Sequence, residues 1–214
     1  MLQLGRRTTL TRPDRKERDA LRRHFDANMW ARLPGALDAN LLAEVQGLIK
    51  TAMFLPHVHP EMWPPSVDSI MAPGPAAALL EFLFNDPDIY RDIEAITGCD
   101  PVSRFAALLY RMVPEQGHEH QWHNDLMHDR MIGMSVNLGP ESYEGGVFQL
   151  RDRASKRLLA VVENAVPGDA IIFALDPSLQ HRVTRVTAGV KTAFAGWFCA
   201  GQSYIDLLRS AATS

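Results

Sequence analysis

Residues 110–125 read YRMVPEQGHEHQWHND, and the fold of this chain is decided by how they are read. They end in His123-Asn124-Asp125, an imidazole and a carboxylate at i and i+2. In an extended segment, side-chain alternation puts both on one face of a strand. Imidazole plus carboxylate is two thirds of the 2-His-1-carboxylate facial triad, which holds Fe(II) and leaves coordination positions open. An HxD triplet alone is common in polar loops, so its weight comes from the strands downstream of it.

Those strands are short and regularly spaced. From Ser103 on, helical periodicity gives way to segments near 105–112, 121–125, 131–138, 146–151, 159–162, 169–173, 180–186 and 191–198, separated by Gly, Pro and Asp turns. About eight strands at this spacing predict a jelly roll of two packed sheets, a double-stranded β-helix, with N-terminal helices covering one sheet. The stretch 181–198, HRVTRVTAGVKTAFAGWF, reads as a hairpin turned at Thr187–Gly189. His181 and Val183 share a face, while Lys191, Ala193, Ala195 and Trp197 share a face of the second strand. A lysine facing into a barrel is costly unless paired, so a buried anion is its natural partner. Arg182 fails on strand parity and Arg185 sits close to the turn, which leaves Lys191 as the anion binder.

Upstream, helices are expected over 14–25 and 38–50, the second with Asp38 as its N-cap, with a strand at 29–33 between them. The first 24 residues carry seven Arg and one Lys against Asp14, Glu17 and Asp19, and read as a solvated arm. Residues 55–76 hold six prolines and predict an irregular loop at a pocket mouth. His57 and His59 lack a third ligand there, so they read as substrate contacts together with Trp63 and Arg130. Two further helices are expected over 76–84 and 88–96, the second capped by Asp88 and stopped by Gly98. The organisation expected is a supporting region at 1–102 within the same domain, a β-helix core at 103–200 and a tail at 201–214.

Taken in order, Tyr110, Gly117, His123-x-Asp125, Glu144-Gly145-Gly146, Gly168-Asp169, His181 and Lys191 resemble the prolyl-hydroxylase-like group of Fe(II)- and 2-oxoglutarate-dependent dioxygenases. The resemblance implies Fe(II), 2-oxoglutarate and O2 as cofactor and co-substrates, with succinate and CO2 released. It implies His123, Asp125 and His181 as the metal and catalytic set, and Lys191 and Tyr110 at the distal carboxylate of 2-oxoglutarate. Asn137 stands where many relatives have a second Tyr, and could contact the co-substrate through its amide. Asp125 is present where related halogenases have a small residue, which favours hydroxylation.

Other readings remain open at this point, namely a cupin-like binder without catalysis or a metal-dependent hydrolase on a similar barrel. A zincin is not among them, because H-E-x-x-H starting at His118 would need a histidine where Trp122 stands. His120 and His128 read as surface loop histidines. A net charge of −3 points to no nucleic-acid partner, and no apolar run approaches the roughly 18 residues of a membrane span. Two cysteines make no disulfide framework, which fits a cytoplasmic protein. The expected partner is a small-molecule or peptide substrate, and a homodimer is compatible with everything above.

Overall fold

A computed structural model describes residues 2–7, 9–60, 62, 64–127 and 129–212. In chain order its elements are β1 (Gln3–Leu4), β2 (Thr9–Thr11), α1 (Arg15–Asn28), β3 (Trp30–Leu33), α2 (Ala39–Lys50), β4 (Phe54–His59), β5 (Ser66–Met71), α3 (Pro75–Phe84) and α4 (Pro87–Thr97). The barrel strands are β6 (Arg104–Met112), β7 (His120–His123), β8 (Arg130–Asn137), β9 (Glu144–Gly145), β10 (Phe148–Asp152), β11 (Leu158–Val162), β12 (Ala170–Ala174), β13 (Leu179–Val183), β14 (Val186–Ala188) and β15 (Lys191–Cys199). Helix α5 (Tyr204–Ala212) comes last, where a tail was expected.

Two sheets face each other. One has the order β11-β10-β13-β7; the other runs β3-β12-β8-β15-β6-β5-β4. The eight strands β6 to β8, β10 to β13 and β15 make the four-on-four jelly roll, and β3 and the β4–β5 pair widen one sheet at its two edges. The expected hairpin over 181–198 does not form: β13 pairs with β10 and β7, whereas β15 pairs with β6 and β8 in the opposite sheet. Between them β14 pairs with β9, so the chain crosses from sheet to sheet instead of folding back.

Helix boundaries obey local chemistry. Asp14 closes a capping box with Glu17, and the Asp38 carboxylate accepts the Leu41 amide at 2.7 Å. The cap of α4 is Asp86, two residues before the expected Asp88, because Pro87 at the first helical position fits there without an amide to satisfy. The N-terminal arm is only partly solvated. Leu2 and Leu4 are buried, the Leu4 amide donates to the Ala36 carbonyl at 2.7 Å, and Arg12 grips fully buried Asp92 at 2.8 and 3.0 Å.

The six-proline segment also departs from expectation, since β4 and β5 form a regular antiparallel pair with His57 opposite Asp68. Pro56 is tolerated because β4 is the outermost strand, where a missing amide costs no ladder bond. No helix among the described residues is long and apolar enough to cross a membrane.

The main core lies between the helices and the seven-stranded sheet. Phe194 and Phe198 of β15 point into it, with Phe194 packed on Phe84 and Phe105 at centroid distances of 5.9 and 5.8 Å. A second cluster, including Phe148, Leu150, Ile171 and Phe173, fills the space between the sheets at one end. Phe194 is fully buried, so Phe194→Ala is expected to cost about 3–5 kcal/mol through lost contacts and a residual cavity. Denaturant unfolding would show this as a lower midpoint at unchanged slope. A loss below about 1 kcal/mol would mean that this ring does not anchor the helices to the sheet.

Candidate active site

Between the sheets a cavity of about 670 Å³ opens, lined from β6, β7, β13 and β15 as well as from the β4–β5 pair. Three of its residues are brought together from distant positions. His123 ends β7 and lies opposite His181 of β13 in the ladder, with ring centroids 4.2 Å apart. Asp125 lies just past β7 and reaches both, its carboxylate oxygens 3.5 Å from His123 Nε2 and 3.3 Å from His181 Nε2. Their ligand atoms all lie within 4.8 Å of one another, a spacing that can hold a metal ion.

The surroundings set the protonation of this group. His123 Nδ1 lies 2.6 Å from the Gln121 carbonyl and can only donate there, which leaves the Nε2 lone pair aimed at Asp125. Burial, then the neighbouring His181, push His123 down to about 3, so it is neutral at ordinary pH, as a ligand must be. Burial works against charge on Asp125, but His181, His123 and a 2.8 Å hydrogen bond from Trp197 Nε1 outweigh it. The carboxyl is held well below its usual range. Phe173 and Phe148 pack on His181 at 4.7 and 5.9 Å, which keeps that side of the group dry.

Lys191 lines the same cavity from the start of β15, on the face that also carries Ala193, Ala195 and Trp197. It is 4 % exposed, and its ammonium donates to Tyr143 Oη at 3.0 Å and to the Gly146 carbonyl at 2.9 Å. Among the described residues no carboxylate pairs with it, and burial brings it down to about 8. Gly146, with φ +58°, makes the close approach feasible, because a Cβ there would stand 3.0 Å from Lys191 Cδ. Arg185 is exposed and does not line the cavity, while Arg182 points outward over Trp122 at 4.7 Å.

The remaining expected residues are scattered around this centre. Tyr110 is buried, lines the cavity and lies opposite Ala193, and burial raises its phenol. Asn137 is turned away: its Oδ1 accepts the Gly139 amide at 3.1 Å and it does not line the cavity. Arg130 lies 3.5 Å above the Trp197 ring at the mouth, and His57 and His59 line the opposite wall. Trp63 and His128 lie outside the described residues.

Three contributors were not singled out from sequence. Tyr143 stands against Lys191, Trp197 holds Asp125, and Asp68 collects His59 at 3.1 Å and His120 at 2.9 Å. Strand parity placed Trp197 on the Lys191 face without giving it a role. Nothing local marks Asp68 or Tyr143. His120 is therefore not a surface histidine, because Asp68 ties it into the wall. Burial opposes charge on Asp68 too, yet hydrogen bonds from His120 and His59 hold it well below the usual range.

The sequence over residues 107–199 matches the model of the 2OG-Fe(II) oxygenase superfamily. The match covers the barrel. Members of that superfamily use Fe(II), 2-oxoglutarate and O2, and the barrel here supplies a donor set that fits such a metal, two imidazoles and one ionised carboxylate on one side of a cavity. The whole chain is also similar in fold to a 2OG-Fe(II) oxygenase family oxidoreductase from Burkholderia pseudomallei, at TM-score 0.70 and 15% identity over 95% of this chain and 98% of that one. A prolyl-4-hydroxylase from Pseudomonas putida matches at 0.65 and 19%, over 86% and 99%. A Trichoplax adhaerens prolyl hydroxylase, solved with a hypoxia-inducible-factor peptide, matches at 0.66 and 14%, over 86% and 89%. Among curated proteins, no sequence matches it.

Trp197→Phe keeps an aromatic ring, though a smaller one, and removes the donor to Asp125. Partners that orient a ligand typically account for 10- to 100-fold in metal affinity, and a loss of that size is expected in anaerobic Fe(II) titration. Unchanged affinity would show that Asp125 is positioned without the indole.

Proposed function

We infer that the chain is a 2-oxoglutarate-dependent hydroxylase that oxidises an unactivated C–H of an amino acid, a peptide or a natural-product intermediate, with succinate and CO2 as co-products. The observation that carries this reading is Lys191, a desolvated ammonium that among the described residues has a phenol and a carbonyl for partners, opening on the cavity that holds the His123, Asp125 and His181 set. A dicarboxylate that reaches both features meets a cation at one end and a metal-binding group at the other.

In this reading His123, Asp125 and His181 hold Fe(II), which when bound supplies the oxidation of the C–H with 2-oxoglutarate and O2. The protein's part is positioning. Gln121 and Trp197 orient His123 and Asp125, and Phe148 and Phe173 exclude water behind His181. Lys191 neutralises the distal carboxylate of the co-substrate, and Tyr110 donates its phenolic proton nearby; its raised pKa keeps that proton in place. Arg130 at the mouth, steadied on the Trp197 face, is suited to an acidic group of the substrate. His57 and His59 bound the other side of the entrance. Asp125 occupies the position that a halide would need, which supports hydroxylation.

Succinate formed from 2-oxoglutarate on addition of candidate substrates tests the reading directly. Ala at His123, Asp125 or His181 is expected to abolish it without unfolding the chain, and near-normal turnover in any of the three would remove that residue from the metal set. Lys191→Ala removes a charge-assisted hydrogen bond worth about 1.5–3 kcal/mol, so 2-oxoglutarate should bind roughly ten- to a hundredfold more weakly. The pH dependence has a definite sign. The ammonium is the binding form, and in the free protein it loses its proton near 8. Affinity for 2-oxoglutarate should therefore be flat below about pH 7 and fall by up to about tenfold per unit above 8. The Lys191→Ala variant should lack that dependence. A wild-type affinity that stays level to about pH 10 would contradict the clamp.

A further inference from the structure

His57, His59, Asp68 and His120 gather beside the His123, Asp125 and His181 set, yet the proposed reaction needs none of them. His57 and Asp68 are cross-strand partners in the β4–β5 pair, and His59 lies on the His57 face two residues along. His120 arrives from β7, in the other sheet. A bridge between Val67 and Glu119 and a 2.9 Å hydrogen bond from the Gln121 amide to Ser66 Oγ hold the two sheets together at this point.

Inside this cluster one imidazole nitrogen faces two partners, and one buried carboxylate oxygen has none among the described residues. His59 Nε2 lies 3.1 Å from Asp68 Oδ2 and 3.2 Å from His57 Nδ1. An imidazole nitrogen has either one proton or one lone pair. With a proton, it serves the carboxylate and leaves the His57 contact without a hydrogen bond of its own. With a lone pair, it repels the carboxylate. His120 Nε2 converges on the same Oδ2 at 2.9 Å, while Asp68 Oδ1, on a residue only 1 % exposed, has no hydrogen-bond partner among the described residues. That oxygen stands 3.7 Å from His57 Nδ1, too far for a hydrogen bond.

A metal ion between His57, His59 and Asp68 would use lone pairs only and give the orphaned Asp68 oxygen a partner. With zinc bonds of about 2.0–2.2 Å in a tetrahedron, neighbouring ligand atoms stand about 3.3–3.6 Å apart. Among His57, His59 and Asp68 the observed separations of 3.1, 3.2 and 3.7 Å lie around that spacing. The ligand atoms of His57, His59 and Asp68 alone lie within 4.8 Å of one another. We propose that His57, His59 and Asp68 form a second metal site, for a divalent ion of the zinc class, on the β4–β5 pair beside the first ligand set, with His120 of β7 hydrogen-bonded to Asp68. Two imidazoles and one carboxylate leave the fourth position of a tetrahedral shell to water or a ligand from the cavity. The proposal does not depend on the reaction assigned above.

Counting zinc equivalents tests it. The chain, stripped of metal, is titrated anaerobically with Zn2+ at micromolar concentrations, together with His181→Ala, His57→Ala, Asp68→Asn and the double variant of His181→Ala with His57→Ala. Two equivalents are expected for the wild type, one for each single variant and none for the double variant. The His57 side chain is 43% exposed, so its truncation leaves the core untouched, and Asp68→Asn keeps the shape of the carboxylate should the alanine variant fold poorly. The proposal is overturned if His181→Ala binds no Zn2+, since the four residues would then be a hydrogen-bonded wall only. It is equally overturned if His57→Ala and Asp68→Asn both still bind two equivalents.

Discussion

An ammonium taken out of water must be compensated by its neighbours, and at Lys191 the described neighbours are a tyrosine hydroxyl and a backbone carbonyl. Much of the molecule can be understood as the scaffold that keeps this cation buried. It sits at the start of β15, a strand paired on both sides, so the pleat fixes which way each side chain points. One face carries Phe194 and Phe198 into the helix-covered core; the other carries Lys191, two alanines and Trp197 into the cavity. A one-residue slip would exchange them, placing a charge among phenylalanines. The apolar core thus enforces the register that holds the cation in place.

The same alternation makes Trp197 part of the site. Six residues from Lys191 on the same face, it reaches Asp125 and supports Arg130 on its ring. Its face of the strand therefore links the cation, the carboxylate and the mouth. The facing sheet supplies the imidazoles, through a ladder that sets His123 opposite His181. Neither sheet holds the group alone, since its histidines come from one and the residues that orient or complement them come largely from the other.

The β4–β5 pair adds a third contributor at the cavity wall. It extends the larger sheet past β6 and turns Asp68 toward histidines from both sheets. Asp68 is almost fully enclosed, so its charge is maintained by the imidazoles around it and not by solvent. A polar cluster of this kind specifies where an edge hairpin must dock. That is a demanding task for a segment whose outer strand includes a proline and exposes Leu55 and Val58.

Sequence alone carried the strand periodicity of the barrel, the cap of α2, the HxD triplet and the inward face of Lys191. All of these are set by spacing of two or by contacts within one helical turn, and such rules act over a few residues. Tertiary structure decided the rest. It made a hairpin of a proline-broken segment, because an edge strand does not need every amide. It sent β13 and β15 to opposite sheets, because burying both faces of the barrel favours crossing over pairing. It placed Asp68 and Tyr143, and turned Asn137 to its own loop. Asp68 meets His120 across 52 residues and Tyr143 meets Lys191 across 48. Contacts at that separation leave no periodic trace in the chain, since only the packing of the two sheets brings the partners within reach.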